Sequence, residues 1–394
     1  MDMHVGFPPH GFLQDHDPPL SRPAPDPRVA MARRLPAAVQ PFLTWLTARP
    51  APGEAMPERS PLAFVWGALA AVLGGFALSA WPVLMGGGPL AWLLLPLGWL
   101  VACWGLGVFQ VVVFHHASHG TVFAGREANR RAGRMISAFL LFKRFDDYQH
   151  EHMLHHSAKK LLTEEDEFAD FVLGLCGLQA GLPKRELWRR VAVNCVSPAF
   201  HWTFLRRRIQ ASLFTGDAAH DWMGRAFWGA AIGLALATGA QWALLLAVLV
   251  PVTVLLQVAT VFRILVEHSF PEPAHIAARD KEFVCHATFG VFPGAQPPPE
   301  GAGTLPWAAW WAEMLTVHLF VRLFVLVGDA PCHDFHHRRP ATRRWTSYIH
   351  ARQQDLEAGS PGFPLGYTES WGLFRAVDRS LASLAATEPA TIGR

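Results

Sequence analysis

The sequence is poor in charge, and the charge it has is unevenly spread. Only 16% of its residues are Asp, Glu, Lys or Arg, against about 25% in an ordinary soluble chain. None occurs from Ser60 to Gly125, a run of 66 residues, and none from Ala226 to Phe262, a run of 37. A soluble α/β domain does not leave such gaps. Tyrosine is also rare, 3 residues beside 16 Trp and 27 Phe, which deepens the apolar bias. The five cysteines, at 103, 176, 195, 285 and 332, include no Cys-x-x-Cys pair. Rubredoxin-like, zinc-ribbon and ferredoxin-type sites are therefore excluded, and no disulfide framework is suggested. Glu272-x-x-His275 contains Pro273 and has no second copy. A soluble di-iron carboxylate bundle needs two such motifs, so it is excluded. The net charge of +3 gives no reason to expect a nucleic acid partner.

What is present reads as a membrane chain. Residues 1–60 carry 12 Pro and no long apolar run, and are expected to form a flexible Pro-rich cytoplasmic arm. They lack the apolar core of a signal peptide, so no cleavage is expected. His4, His10 and His16 fall in this arm and read as solvated bystanders. Leu62–Leu84 and Pro89–Phe114 are 23 and 26 residues long, enough to cross a hydrocarbon core about 30 Å thick. Trp66, Trp81, Trp92 and Trp104 lie toward their ends, as an aromatic belt would place them. The gap Ala226–Phe262 would reach roughly 55 Å as one helix, too long for one span. Folded near Thr238–Gln241, it makes a second hairpin. The expected fold class is an all-α integral membrane protein with four transmembrane helices in two hairpins, under a cytoplasmic helical cap.

Orientation follows from basic residues. His115–Gly224 carries fifteen Lys and Arg, and the two hairpin turns carry none. That segment and both termini are expected to be cytoplasmic. Pro306–Val327 is apolar but holds Glu313, His318 and Arg322. It reads as an interfacial or re-entrant helix whose polar side chains snorkel. The membrane domain is expected over 61–350, and 351–394 as a cytoplasmic tail.

The twenty histidines are not scattered. His115, His116 and His119 end the second apolar run. His152, His155 and His156 form a second cluster, and His333, His336 and His337 a third. On a helix His115 and His119 lie some 40° apart, and each HxxHH triplet falls within about 100° on one face. His268 follows the fourth expected span, in Arg263-Ile-Leu-Val-Glu267-His268. All of these but His116, nine in number, are the expected metal ligands. His116, His150 and His318 read as non-ligands, His116 lying next to the site.

Neutral imidazole suits borderline metals. Eight or nine are too many for one ion, so two metals are expected. A structural zinc site would use four ligands, often Cys. Two Fe ions fit better, because an all-imidazole Fe(II) pair keeps positions open for dioxygen. Metal-bound histidines usually donate their other N–H to a carboxylate or carbonyl. Glu151, Glu267, Asp329 and Asp334 stand beside the clusters as candidates, and His116 joins them. Asp166 and its acidic neighbours read equally as such partners or as a solvated loop.

His-His-Ala-Ser-His, His-Met-Leu-His-His and His-Asp-Phe-His-His resemble the histidine boxes of the membrane fatty acid desaturase superfamily. That superfamily includes alkane hydroxylases, carotenoid ketolases and hydroxylases, and fatty acid decarboxylases that make terminal alkenes. The resemblance covers about residues 60–345. It implies a di-iron centre under a cytoplasmic cap and a tunnel for an acyl chain. Its ligands map onto His115, His119, His152, His155, His156, His333, His336 and His337, with His268 as the extra one. His116 is a departure, since many desaturases have Asp there.

The chain lacks a His-Pro-Gly-Gly haem motif and cysteine iron–sulfur sites. A separate ferredoxin or similar electron donor, with its reductase, is therefore implied. Arg206, Arg207 and Arg208 are the expected docking cations. The reaction stays open between acyl desaturation, hydroxylation or ketolation, and decarboxylation. Decarboxylation needs a cation near the metals, for which Lys143, Arg144, Arg322 and Arg338 are candidates. A metal transporter is the reading from another class. Ala- and Arg-rich composition associates the chain with a bacterial inner membrane.

Overall fold

The computed structural model describes residues 26–389, so His4, His10 and His16 lie outside the described residues. Those residues are mostly helical, and their one sheet is a pair of parallel strands. In it Gly290–Phe292 runs beside Glu369–Trp371, with Val291 opposite Ser370.

Three helices are long and apolar enough to cross a membrane: Pro61–Met85, Ala91–Ser118 and Gln241–Ile264. The first two pack along a seam of small residues. A Cβ built at Gly75 would stand 2.4 Å from the Ala102 backbone nitrogen, and one at Gly98 2.6 Å from the Gly75 carbonyl. Such close backbone approach is how helices associate where the hydrophobic effect is missing. Outward, Trp66, Trp81, Trp92 and Trp242 are exposed, an apolar surface that suits lipid rather than water.

The third expected span is different. The long uncharged gap breaks at Thr238–Ala240, between helices Ala218–Ala237 and Gln241–Ala243. Asp221 and Arg225 occupy the start of the 218–237 helix, where they pair at 3.3 Å. Its uncharged part, 226–237, reaches only about 18 Å, short of a full crossing. It packs on Arg126–Leu140 and Pro198–Leu213.

The expected arm is folded from Asp26 onward. Pro27 and Pro41 sit in the first turns of Pro27–Arg34 and Gln40–Thr47, where a missing N–H costs nothing. Met31, Leu43 and Leu46 are fully buried against Trp310 and Met314. Arg28 is buried with them and donates to the Arg49 carbonyl at 3.1 Å and to Thr44 Oγ1 at 2.8 Å. The expected tail also folds back. Leu373, Val377, Leu381 and Leu384 repeat at helical spacing and are buried. The Phe270 N–H donates to Ser383 Oγ at 3.0 Å, and Trp188 Nε1–H to Asp378 Oδ1 at 3.0 Å.

Arg322 does not snorkel. It is 2% exposed, donates to the Trp45 carbonyl at 2.9 Å, and also reaches the Leu326 carbonyl and the Tyr348 hydroxyl. It joins the 304–324 helical segment to the N-terminal helices. His318, one turn away, faces Glu313 at 3.3 Å.

Candidate metal centre

The nine expected ligands converge, although they come from four stretches of chain. They divide into a group of five, His115, His119, His152, His156 and His336, and a group of four, His155, His268, His333 and His337. The groups adjoin, with the rings of His156 and His337 4.6 Å apart. Each box serves through its helix. The Ala91–Ser118 helix widens to π pitch over Phe109–Phe114, just before His115. Such wide turns recur at functional sites because they re-phase the next side chains. Phe145–His155 carries the second box and His333–Arg338 the third. His268 is fixed by an isolated antiparallel bridge to Thr288.

The nitrogens meet edge to edge. In the first group His115 Nε2 lies 2.7 Å from His336 Nε2, and His336 Nε2 lies 2.8 Å from His156 Nε2. His152 Nε2 is 3.0 Å from His156 Nε2 and 3.1 Å from His119 Nε2. In the second group the spacings are 3.0 Å for His268–His155, 3.2 Å for His333–His268 and 3.0 Å for His337–His333. Adjacent ligands about 2.1 Å from one octahedral ion stand about 3.0 Å apart. Burial, and after it the neighbouring imidazoles, hold His152, His156, His268, His333, His336 and His337 well below the usual histidine range. Neutral rings with facing lone pairs repel unless something positive lies between them. The donor set therefore fits metal ions.

The outer partners differ from expectation. His115 Nδ1–H donates to the Val111 carbonyl at 2.9 Å, which leaves Nε2 facing the group. His155 Nδ1–H donates to Asp166 Oδ1 at 2.7 Å. Burial alone would lower the His155 value; Asp166 reverses it and holds the value above the ordinary one. Asp166 is itself buried and accepts from the backbone N–H groups of Leu162 at 2.7 Å and Phe168 at 3.0 Å. Asp329 accepts from His116 Nε2 at 2.6 Å, and the His116 ring stacks on Trp345 at 4.3 Å. His116 thus braces the site from beside His115.

Three of the other candidates do something else. Asp334 accepts from Arg352 through both oxygens. Glu151 pairs with Lys143, and Glu267 with Arg263. Glu151 and Asp334 each stand one residue, about 100° of helix, from their box histidine, and Glu267 lies in the turn before the His268 bridge, which is why adjacency misled. Tyr148, which sequence spacing did not single out, stacks on the His152 ring at 5.2 Å and 9°. His150 is exposed.

Substituting Asp166 with Asn should lower metal affinity at the four-histidine group about 10–100-fold. Competition against a chelator measures this, with exposed Glu165→Gln as the unchanged control. Equal affinities would show that Asp166 does not support His155.

A cavity of about 270 Å³ opens onto both groups. Val111, Phe114, Phe142, Phe168, Phe171 and Leu256 supply much of its apolar wall. Glu167 also lines it, 3.9 Å from His152 Nδ1. Burial pushes the Glu167 carboxyl up to about 7, against the pull of Lys143.

The family model for fatty acid desaturases matches residues 90–296, just over half of the 394-residue chain. The chain belongs to the fatty acid desaturase family. Membership, with three apolar helices and the two histidine groups, makes it a membrane oxidoreductase of the desaturase–hydroxylase kind, with histidines able to hold metal. The match ends before His333, so the third box lies outside it, and the structure brings that box to the other two. No curated protein and no solved structure matches the chain.

Proposed function

We propose that the protein is an oxygen-dependent di-iron desaturase acting on a fatty acyl chain. One observation carries this reading: a largely apolar cavity ends on two adjacent groups of buried imidazoles. His115, His119, His152, His156 and His336 would hold one iron, and His155, His268, His333 and His337 the other. Bound and reduced, the iron pair would supply the power to activate dioxygen and take hydrogen from an unactivated C–H bond.

The chain's own residues do the rest. The aromatic wall holds a chain with no polar handle and keeps water away from the reacting carbons. Asp166 and the Val111 carbonyl fix the ring orientation of His155 and His115. Glu167, titrating near neutrality, can hold or release a proton beside His152.

The cations argue for desaturation over decarboxylation. A free carboxylate near the metals would need an unengaged positive group. Among the described residues lining the cavity, Lys143 is paired with Glu151, Arg263 with Glu267 and Arg207 with Asp170, while Arg208 donates to three backbone carbonyls. Arg144 pairs with Asp147, and Arg338 donates to Ser360, Leu365 and Gly366. A transporter would carry its ligands between helices at mid-membrane; here they follow the ends of the apolar helices.

The reading includes a four-element membrane arrangement, with 218–237 as the third element in chain order, and a cytoplasmic site in a bacterial inner membrane. It also includes a separate electron donor of ferredoxin type with its reductase. The basic surface between 126 and 208 would receive an acidic donor. Arg208 is committed inside the fold and Arg207 is paired with Asp170, which leaves Arg206 for that role.

Whole-cell lipids and headspace should be examined by gas chromatography–mass spectrometry. The host expresses the chain with a donor, beside its His336→Ala variant. A new double bond in retained acyl chains, absent in the variant, is expected. A volatile alkene one carbon shorter would mean decarboxylation, and an oxygenated chain hydroxylation; either would replace the desaturase reading.

A further inference from the structure

A second set of metal-binding side chains lies outside the nine-histidine centre. Two short helices, Pro273–Ala278 and Lys281–Ala287, form a tight pair after His268. Their facing sides bring together His275, Glu282 and His286, whose ligand atoms all lie within 4.8 Å of one another. Glu282 and His286 are one helical turn apart, and Glu282 Oε1 stands 3.8 Å from His286 Nε2. His275 comes from the other helix, its ring stacked on His286 with centroids 4.1 Å apart. A His–Glu pair at helical spacing is commonplace on a surface. A second imidazole brought in by a separate helix turns the pair into a three-point chelate.

We propose that His275, Glu282 and His286 bind a divalent transition ion of the zinc type. Two imidazoles and one carboxylate are a recurrent zinc donor set, with a fourth position left to water. Tetrahedral ligands about 2.1 Å from zinc stand about 3.4 Å apart, so the groups need only close slightly. Hard cations such as Mg²⁺ are disfavoured by the imidazoles. The side chains are only partly buried, so the ion can enter from solvent.

The site has a mechanical link to the catalytic centre. Ser269 N–H donates to the Ala287 carbonyl at 2.9 Å, and Ser269 Oγ–H to the His286 carbonyl at 2.8 Å. Zinc would clamp the two helices against the segment that presents His268, acting as a brace and not as part of the redox pair.

The test uses the full chain in detergent, loaded with iron and titrated with Zn²⁺. Zinc and iron are counted in the same sample, and unfolding temperature is followed. Wild type should take up one further zinc per chain without losing iron, and its unfolding temperature should rise. The His275→Ala/His286→Ala double variant should take up none and show no rise, while unfolding like wild type in the absence of zinc. Glu282→Gln, a milder change, should weaken uptake at least tenfold and serves if the double variant does not fold. Zinc uptake matched by equal iron loss would mean exchange at the main centre and would overturn the proposal. So would equal uptake by wild type and variants.

Discussion

On the proposed di-iron reading, replacing His336 with Ala should reduce turnover to background and lower bound iron from two ions per chain toward one. His336 is 4% exposed, and its Nε2 lies within hydrogen-bond distance of both His115 Nε2 and His156 Nε2. It therefore closes the five-histidine group across three boxes. Loss of an outer partner costs about 10–100-fold; loss of a direct donor at this position should exceed that. The variant should still enter the membrane, because the seam of Gly75, Gly98 and Ala102 does not involve His336. His268→Ala is the companion test, since it should remove the other ion and leave the five-histidine group loaded. Normal turnover in His336→Ala, with iron intact, would sink the metal assignment.

The histidine geometry was legible because it is local. His115 and His119, or His333, His336 and His337, share a helical face whatever the rest of the chain does, and the charge gaps mark where those helices leave the apolar segments. What was not legible depends on distant packing. Asp166 reaches His155 across eleven residues, through a turn in which Leu162 has φ of 64°. In sequence it is one of four consecutive acids, with nothing to separate the buried one from the rest. Proline count misled at the N-terminus. Pro27 and Pro41 start helices there, and the buried spacing of Leu43 and Leu46 is too short a pattern to outweigh them. The 218–237 helix shows the limit of a charge gap, which locates an uncharged stretch but not where its helices begin. The turn at Thr238–Ala240 was readable because Thr-Gly-Ala breaks an otherwise unbroken apolar run.

Asp334 carries the other large expected effect, on stability. Its side chain and that of Arg352 are each 1% exposed. Arg352 Nε donates to Asp334 Oδ1 at 2.8 Å, Nη2 to Oδ2 at 2.6 Å, and Nη1 to Glu369 Oε1 at 2.9 Å. Glu369 belongs to the second strand and also receives Arg49. The network thus ties the third box to Tyr348–Glu357, to the sheet and to the N-terminal helices. Arg352→Leu would leave the Asp334 carboxylate buried with only the Phe335 N–H for company. Breaking a buried pair from one side costs about 3–5 kcal/mol. The variant should unfold at a markedly lower temperature and release iron earlier, because His333, His336 and His337 share the helix with Asp334. The double variant Asp334→Asn/Arg352→Leu should recover more than half of the loss, since a buried neutral amide costs far less than a bare charge. If the double variant is no more stable than Arg352→Leu alone, the cost lies in lost packing of the guanidinium against Phe292 and Tyr367, 4.9 and 4.5 Å from their ring centres, and not in the stranded carboxylate. The two results separate a charge that must be neutralised from a side chain that fills space, which is the distinction that adjacency of Asp334 to His333 could not supply.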